Sequence, residues 1–167
     1  MATVTQQFTP ESAIFPSSTF PAFAKFVGTN FPISVLAYDA GADEAAYWKM
    51  RAVRYGSGNL TVDIEWYADT ASSGVVRWGV SIAAITPDTD SQDMETKSFA
   101  TENTFDDTHL GTTGQRLHRA TVTVSNLDSL AADDIVIIRL RRIGSNGSDT
   151  MTGDALMPLF TVSYSDT

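Results

Sequence analysis

A chain of 167 residues is long enough to bury roughly two thirds of its unfolded surface in one domain, and it holds no cysteine. That excludes disulfide staples, thiolate metal sites and cysteine nucleophiles together. A formal charge of -9 argues against a phosphate-backbone partner, because such proteins gather Lys and Arg on one surface, so nucleic acid is not expected.

Residues 1–32 differ in composition from the rest. Phe8, Phe15, Phe20, Phe23, Phe26 and Phe31 are six of the nine phenylalanines, and Pro10, Pro16, Pro21 and Pro32 are four of the six prolines. Proline fixes φ and removes a ladder donor, so the segment is expected as an extended, irregular N-terminal arm rather than helix or central strand. Burying six Phe side chains gives on the order of 10 to 18 kcal/mol, against ~1 to 2 kcal/mol for each of some thirty backbones fixed. The arm therefore needs backbone hydrogen bonds along its own domain, or another subunit. Phe8, Phe15, Phe20, Phe23 and Phe26 are its expected partner-binding residues. The opening residues, MATVTQQFTPES, lack the basic and apolar regions of a signal peptide, and no apolar run approaches a membrane span. A soluble protein made in the cytoplasm is expected, with no membrane partner.

From Ile33 a regular rhythm begins, and residues 33–167 read as one β-sandwich domain. The run 33–39 is a first strand. The run 45–55 follows, with Ala46, Trp48, Met50 and Ala52 on one face and Tyr47, Lys49 and Arg51 on the other. Gly56-Ser57-Gly58 turns the chain into the pair that organises the domain. Leu60, Val62, Ile64 and Trp66 oppose Thr61, Asp63, Glu65 and Tyr67, and then Val76, Trp78, Val80 and Ile82 oppose Arg77, Gly79 and Ser81. A weaker strand is predicted at 94–100, then a long polar loop over 101–116. In 117–125, His118, Ala120, Val122 and Val124 oppose Arg119, Thr121 and Thr123. Val136, Ile138 and Leu140 point inward from a seventh strand, with Arg139 and Arg141 outward. The eighth strand is 155–164, where Pro158 predicts an edge or a bulge. The fold class is all-β, an antiparallel jelly-roll sandwich of about eight strands with an extended N-terminal arm. An immunoglobulin-like sandwich is the rival, without its Cys...Trp...Cys signature.

The search for chemistry yields no catalytic set. The histidines are His109 in the polar loop and His118 at a strand start, and neither a Gly-x-Ser-x-Gly elbow nor an H-E-x-x-H motif accompanies them. Asp63 and Glu65 lie on one strand face, as glycosidase carboxylates can, but such a pair more simply meets solvent or a neighbouring arginine. Asp88, Asp90 and Asp93 have oxygen-ligand spacing without the glycine and closing glutamate of an EF-hand, and Asn146, Asp149 and Asp154 read as a turn. No metal and no cofactor is expected. Trp48, Trp66 and Trp78 share the parity of the aliphatics and belong to the core. Tyr47, Tyr55 and Tyr67 are better placed for exposure, and Tyr47 and Tyr67 are the candidate ligand surface.

The runs WYADTASSGVVRWGVSIAAI, GTTGQRLHRATVTVSNLDSLAADDIVIIRLRR and GSDTMTGDALM, closing on VSYSD, resemble small β-sandwich virion proteins of tailed bacteriophages. The resemblance covers about residues 33–165, with Ile143 standing where that pattern expects an acid. It implies a jelly roll that trimerises and decorates or cements the capsid exterior, with the major capsid protein and its own copies (a homotrimer) as partners. The alternative is a tail- or fibre-associated module that binds carbohydrate or a receptor.

Overall fold

The computed structural model describes residues 2–70, 73–89, 91 and 93–167. Ten strands are found among them: β1 (Thr3–Phe8), β2 (Ala22–Val27), β3 (Pro32–Tyr38), β4 (Asp43–Arg51), β5 (Leu60–Ala68), β6 (Val75–Ile85), β7 (Asn103–Thr108), β8 (His118–Val124), β9 (Ile135–Ile143) and β10 (Ala155–Ser165). One 3₁₀ turn, Pro10–Ser12, is the sole helical element among the described residues. No described helix is long and apolar enough to cross a membrane.

The strands form two antiparallel sheets, one in the order β2-β3-β10-β5-β8 with β1 also paired to β10, the other in the order β4-β9-β6-β7. Strands adjacent in sequence mostly alternate between the sheets, which is the jelly-roll arrangement. Period-two alternation explains the layering. In β5 the burial alternates residue by residue, with Leu60, Val62, Ile64 and Trp66 inside. Trp48, Trp66 and Trp78 are fully buried between the sheets, where the Tyr38 ring meets Trp78 edge-on at 5.3 Å and Phe160 meets Trp48 at 4.8 Å. All three tryptophans are therefore core, as their parity predicts.

Residues 1–32 contribute two strands to the first sheet. The proline-free stretch of β1 pairs with β10 in unbroken register from Thr3↔Ser165 to Phe8↔Phe160, and the Phe8 ring stacks on Phe160 at 4.9 Å. Between them, Ile14 bridges to Tyr47 and the Trp48 Nε1 donates to the Thr9 carbonyl at 3.0 Å. The second proline-free stretch, β2, pairs with β3 and is the outermost strand of its sheet. These two strands raise the total from the expected eight to ten.

Two other expectations are corrected. The predicted strand at 94–100 is instead a turn and a coil segment, lying against β6 through one backbone bond from Ala100 N to Ile82 O at 2.9 Å. The strand is β7, inside the stretch expected as a polar loop. All its residues except Phe105 are polar, but Asp106 sits opposite Arg77 and accepts from its Nη1 at 2.7 Å, so cross-strand pairing wins over composition. Pro158 lies in β10, a strand with neighbours on both sides, and the chain accommodates it by a register shift between Leu156 and Leu159.

Candidate functional site

A concave part of the surface lies at one end of the β2/β3 sheet. Residues 28–31 turn β2 into β3, Tyr67 projects from the outward parity of β5, and Gln115 and Leu117 come from the loop that joins β7 to β8. Together they bound a groove of about 580 Å³. Its walls are apolar: Phe26, Val27, Phe31 and Leu117 are all exposed, Phe31 at 67%. Asn30, Gln115 and Asp69 place an amide or a carboxylate at its rim. An apolar, aromatic cleft with a few polar groups is the usual form of a small-molecule site. Burial raises the Tyr67 phenol above its ordinary pKa, and the Asp69 carboxylate adds to this, so Tyr67 presents a neutral hydroxyl at physiological pH.

The loop wall is held by a buried pair of histidines. His109 donates from Nε2 to the Gly114 carbonyl at 2.9 Å and accepts at Nδ1 from the Gly111 amide at 3.0 Å. His118 accepts at Nε2 from the Leu110 amide at 2.9 Å. Both rings are thus neutral in this arrangement, since each uses one nitrogen as an acceptor. They pack 4.4 Å apart, and His118 stacks on Trp66 at 4.5 Å. Trp66 Nε1 in turn donates to Asp107 Oδ2 at 2.7 Å. His118 is a core strand residue, as its parity predicts, and its bond to Leu110 N makes it a loop anchor as well.

In the β4/β6 sheet, the turn after β9 is fixed by Arg142, which is fully buried. Its Nε and Nη2 grip the two Asp149 oxygens at 2.9 and 2.8 Å, and its remaining donors reach the carbonyls of Tyr38, Met151 and Gly153. The acid that the phage pattern expects next to Arg142 is supplied seven residues later, across the turn. Gly74 permits this packing, because a Cβ there would meet the Met151 backbone at 2.6 Å and its φ is +105°.

The predicted residues fall in several places. Tyr67 is in the groove, whereas Tyr47 is on the other sheet, in a hollow of about 320 Å³ with its ring 5.8 Å from Phe99. The two tyrosines do not form one surface. Tyr55 is buried. Of the expected partner-binding residues, Phe8 is buried in its own core, while Phe15, Phe20, Phe23 and Phe26 are exposed at 37%, 43%, 51% and 38%. Glu65 accepts from Arg119 at 2.6 Å and Asp63 from Thr121 at 2.6 Å, so each carboxylate meets a cross-strand donor. Asp90, the middle of the candidate Asp88, Asp90, Asp93 run, lies outside the described residues. Asn146 Oδ1 accepts from the Ser148 amide, as a turn residue does. Among the described residues, no group of three His, Asp or Glu is arranged to hold a metal ion.

No protein-family model matches the chain. No curated protein matches it either. Solved structures with a similar fold include carbohydrate-binding module CBM36 in complex with calcium and xylotriose, with a TM-score of 0.48 and 13% identity over 94% of this chain and 98% of that one. The cellulose-specific module CBM28 has a TM-score of 0.47 and 8% identity over 91% and 85% of the two chains. A family 11 module from Clostridium thermocellum, bound to a mixed-linked tetrasaccharide, has a TM-score of 0.45 and 8% identity over 95% and 87%. At these values the likeness carries neither ligand nor site to this chain. The comparisons do not support the virion role expected from the sequence motifs.

Sequence reasoning missed Asn30, Phe31, Gln115 and Leu117 as neighbours of Tyr67. Phe31 was visible only as part of a Phe-rich leader, and Gln115 only as part of a polar loop. Nothing in their spacing joins them.

Proposed function

We propose that this protein is a non-catalytic binding module that takes an oligosaccharide in the groove between the β2–β3 turn and the 109–117 loop. The observation that carries this reading is the grouping of exposed Phe26, Phe31 and half-buried Tyr67 with Asn30, Gln115 and Asp69 around about 580 Å³. Flat aromatic faces match the C–H faces of pyranose rings, and amides and carboxylates match their hydroxyls, so one wall supplies contact area and the rim supplies orientation. The test is a glycan array read with the wild type and two variants. Tyr67→Ala is expected to lower affinity for the bound glycan at least about tenfold, which is ~1.4 kcal/mol, while Tyr47→Ala on the other sheet leaves it unchanged. The reverse pattern would move the site to the other sheet.

A second reading, capsid decoration by a homotrimer, is supported by a different observation. Phe23, Phe26 and Val27 are exposed along β2, an outermost strand, and Lys25 is the sole charged residue between Glu11 and Asp39. An apolar, nearly uncharged sheet edge is suited to a protein partner. If the array is silent, and the protein instead sediments as a homotrimer or with tailed-phage capsids through a contact that Phe23→Asp breaks, assembly replaces sugar binding as the function. Jelly rolls serve both capsids and lectins, so the fold itself does not choose.

A further inference from the structure

Two histidines at the ends of one loop, both buried and both using a ring nitrogen as an acceptor, are a means of making that loop answer to pH. His109 is 4% exposed and His118 is 5% exposed. Protonation at His118 Nε2 would set an N–H against the Leu110 amide. That turns an acceptor into a donor and breaks a bond that holds the loop. The bend is also held by His109 N to Gly74 O at 2.9 Å and Thr113 N to Gly111 O at 3.0 Å, neither of which fixes Leu110. Thr112 sits at φ +71°, a region unfavourable to a β-branched residue, so the backbone there leans on these bonds.

We propose that the 109–117 loop is a pH-released wall of the groove: mild acid protonates His118, frees Gln115 and Leu117, and lets go of the bound oligosaccharide. The part concerning the ligand rests on the sugar-binding reading above; the release of the loop does not. The groups that face the two rings are Trp66 from β5, Asp107 from β7 and Arg116 from the loop itself. Burial first, and then the second imidazole, hold His118 below its ordinary 6.5, with the Arg116 charge a smaller contribution in the same direction; the Asp107 carboxylate and a backbone hydrogen bond at Arg116 oppose them. The folded chain therefore takes up this proton later than the unfolded chain. The stability the neutral ring contributes is complete above pH 6.5 and declines as pH falls beneath that value.

The test is amide hydrogen exchange by NMR, without ligand, from about pH 7.5 to about pH 5, corrected for intrinsic rates. Protection of the Leu110 and Gly111 amides is expected to fall at least about tenfold while that of Val122 in β8 holds. His118→Gln keeps an acceptor near the Nε2 position without a titrating ring, and it is expected to keep the Leu110 amide protected at the lower pH. Unchanged protection of Leu110 and Gly111 in the wild type, or an equal loss in His118→Gln, overturns the proposal. Affinity for the array's best glycan, measured at both pH values, is expected to fall with the same midpoint. Loop release in a protein that binds no glycan even at the higher pH supports the clasp and overturns the sugar reading instead.

Discussion

Arg142 commits every one of its five N–H donors inside the protein, two of them to Asp149, and neither side chain is exposed to solvent. Such a pair is costly to desolvate, and once formed it is costly to break, because the partner is left charged in the interior. A lysine keeps the charge but cannot make the forked contact. Arg142→Lys is therefore expected to destabilise the fold by about 3 to 5 kcal/mol, measured by urea unfolding. Replacing Arg139, whose guanidinium is 27% exposed beside Glu102, is expected to cost less than about 1 kcal/mol. Half of this was legible in the sequence. Arg142 shares the parity of Val136, Ile138 and Leu140, and a charge on the inward face of a strand must find a partner. That the partner is Asp149 was not legible, since the turn that brings it back fixes the distance.

At the scale of the element, the leader shows how composition and geometry differ. Six phenylalanines are conspicuous as a group, yet Phe8 is 7% exposed and the others point outward to varying degrees. Within β1 the burial alternates and ends on Phe8, so a period of two was present there, hidden by the short length of the run. Phe8→Ala is expected to cost about 3 to 5 kcal/mol of stability, whereas Phe23→Ala is expected to change it by less than about 0.5 kcal/mol, both by thermal or denaturant unfolding. An equal cost for the two would mean that β2 is buried against something in solution. Where β7 was misread, the reason is that strand propensity reflects neighbours more than residues: Thr104 and Asp106 are made strand-like by Arg77 across from them. Gly79 carries a similar lesson. Its missing side chain leaves the space taken by the Glu102 carboxylate, which Arg141 holds at 2.7 and 2.8 Å.

At the scale of the molecule, the two-sheet body was readable because strands such as β5 and β8 alternate cleanly between turn residues. The groove was not, because it gathers residues 26–31, 33, 67, 69, 115, 117 and 156 from four distant parts of the chain. Parity marked Tyr67 as outward, but it said nothing about what would stand beside it. The most direct test of the groove as the working surface is a hydrogen-exchange footprint of the protein with and without the best glycan of the array. Protection is expected at 26–33, 67–69 and 115–117; protection confined to Tyr47, Met94 and Phe99 on the opposite sheet, with none at the groove, would contradict it.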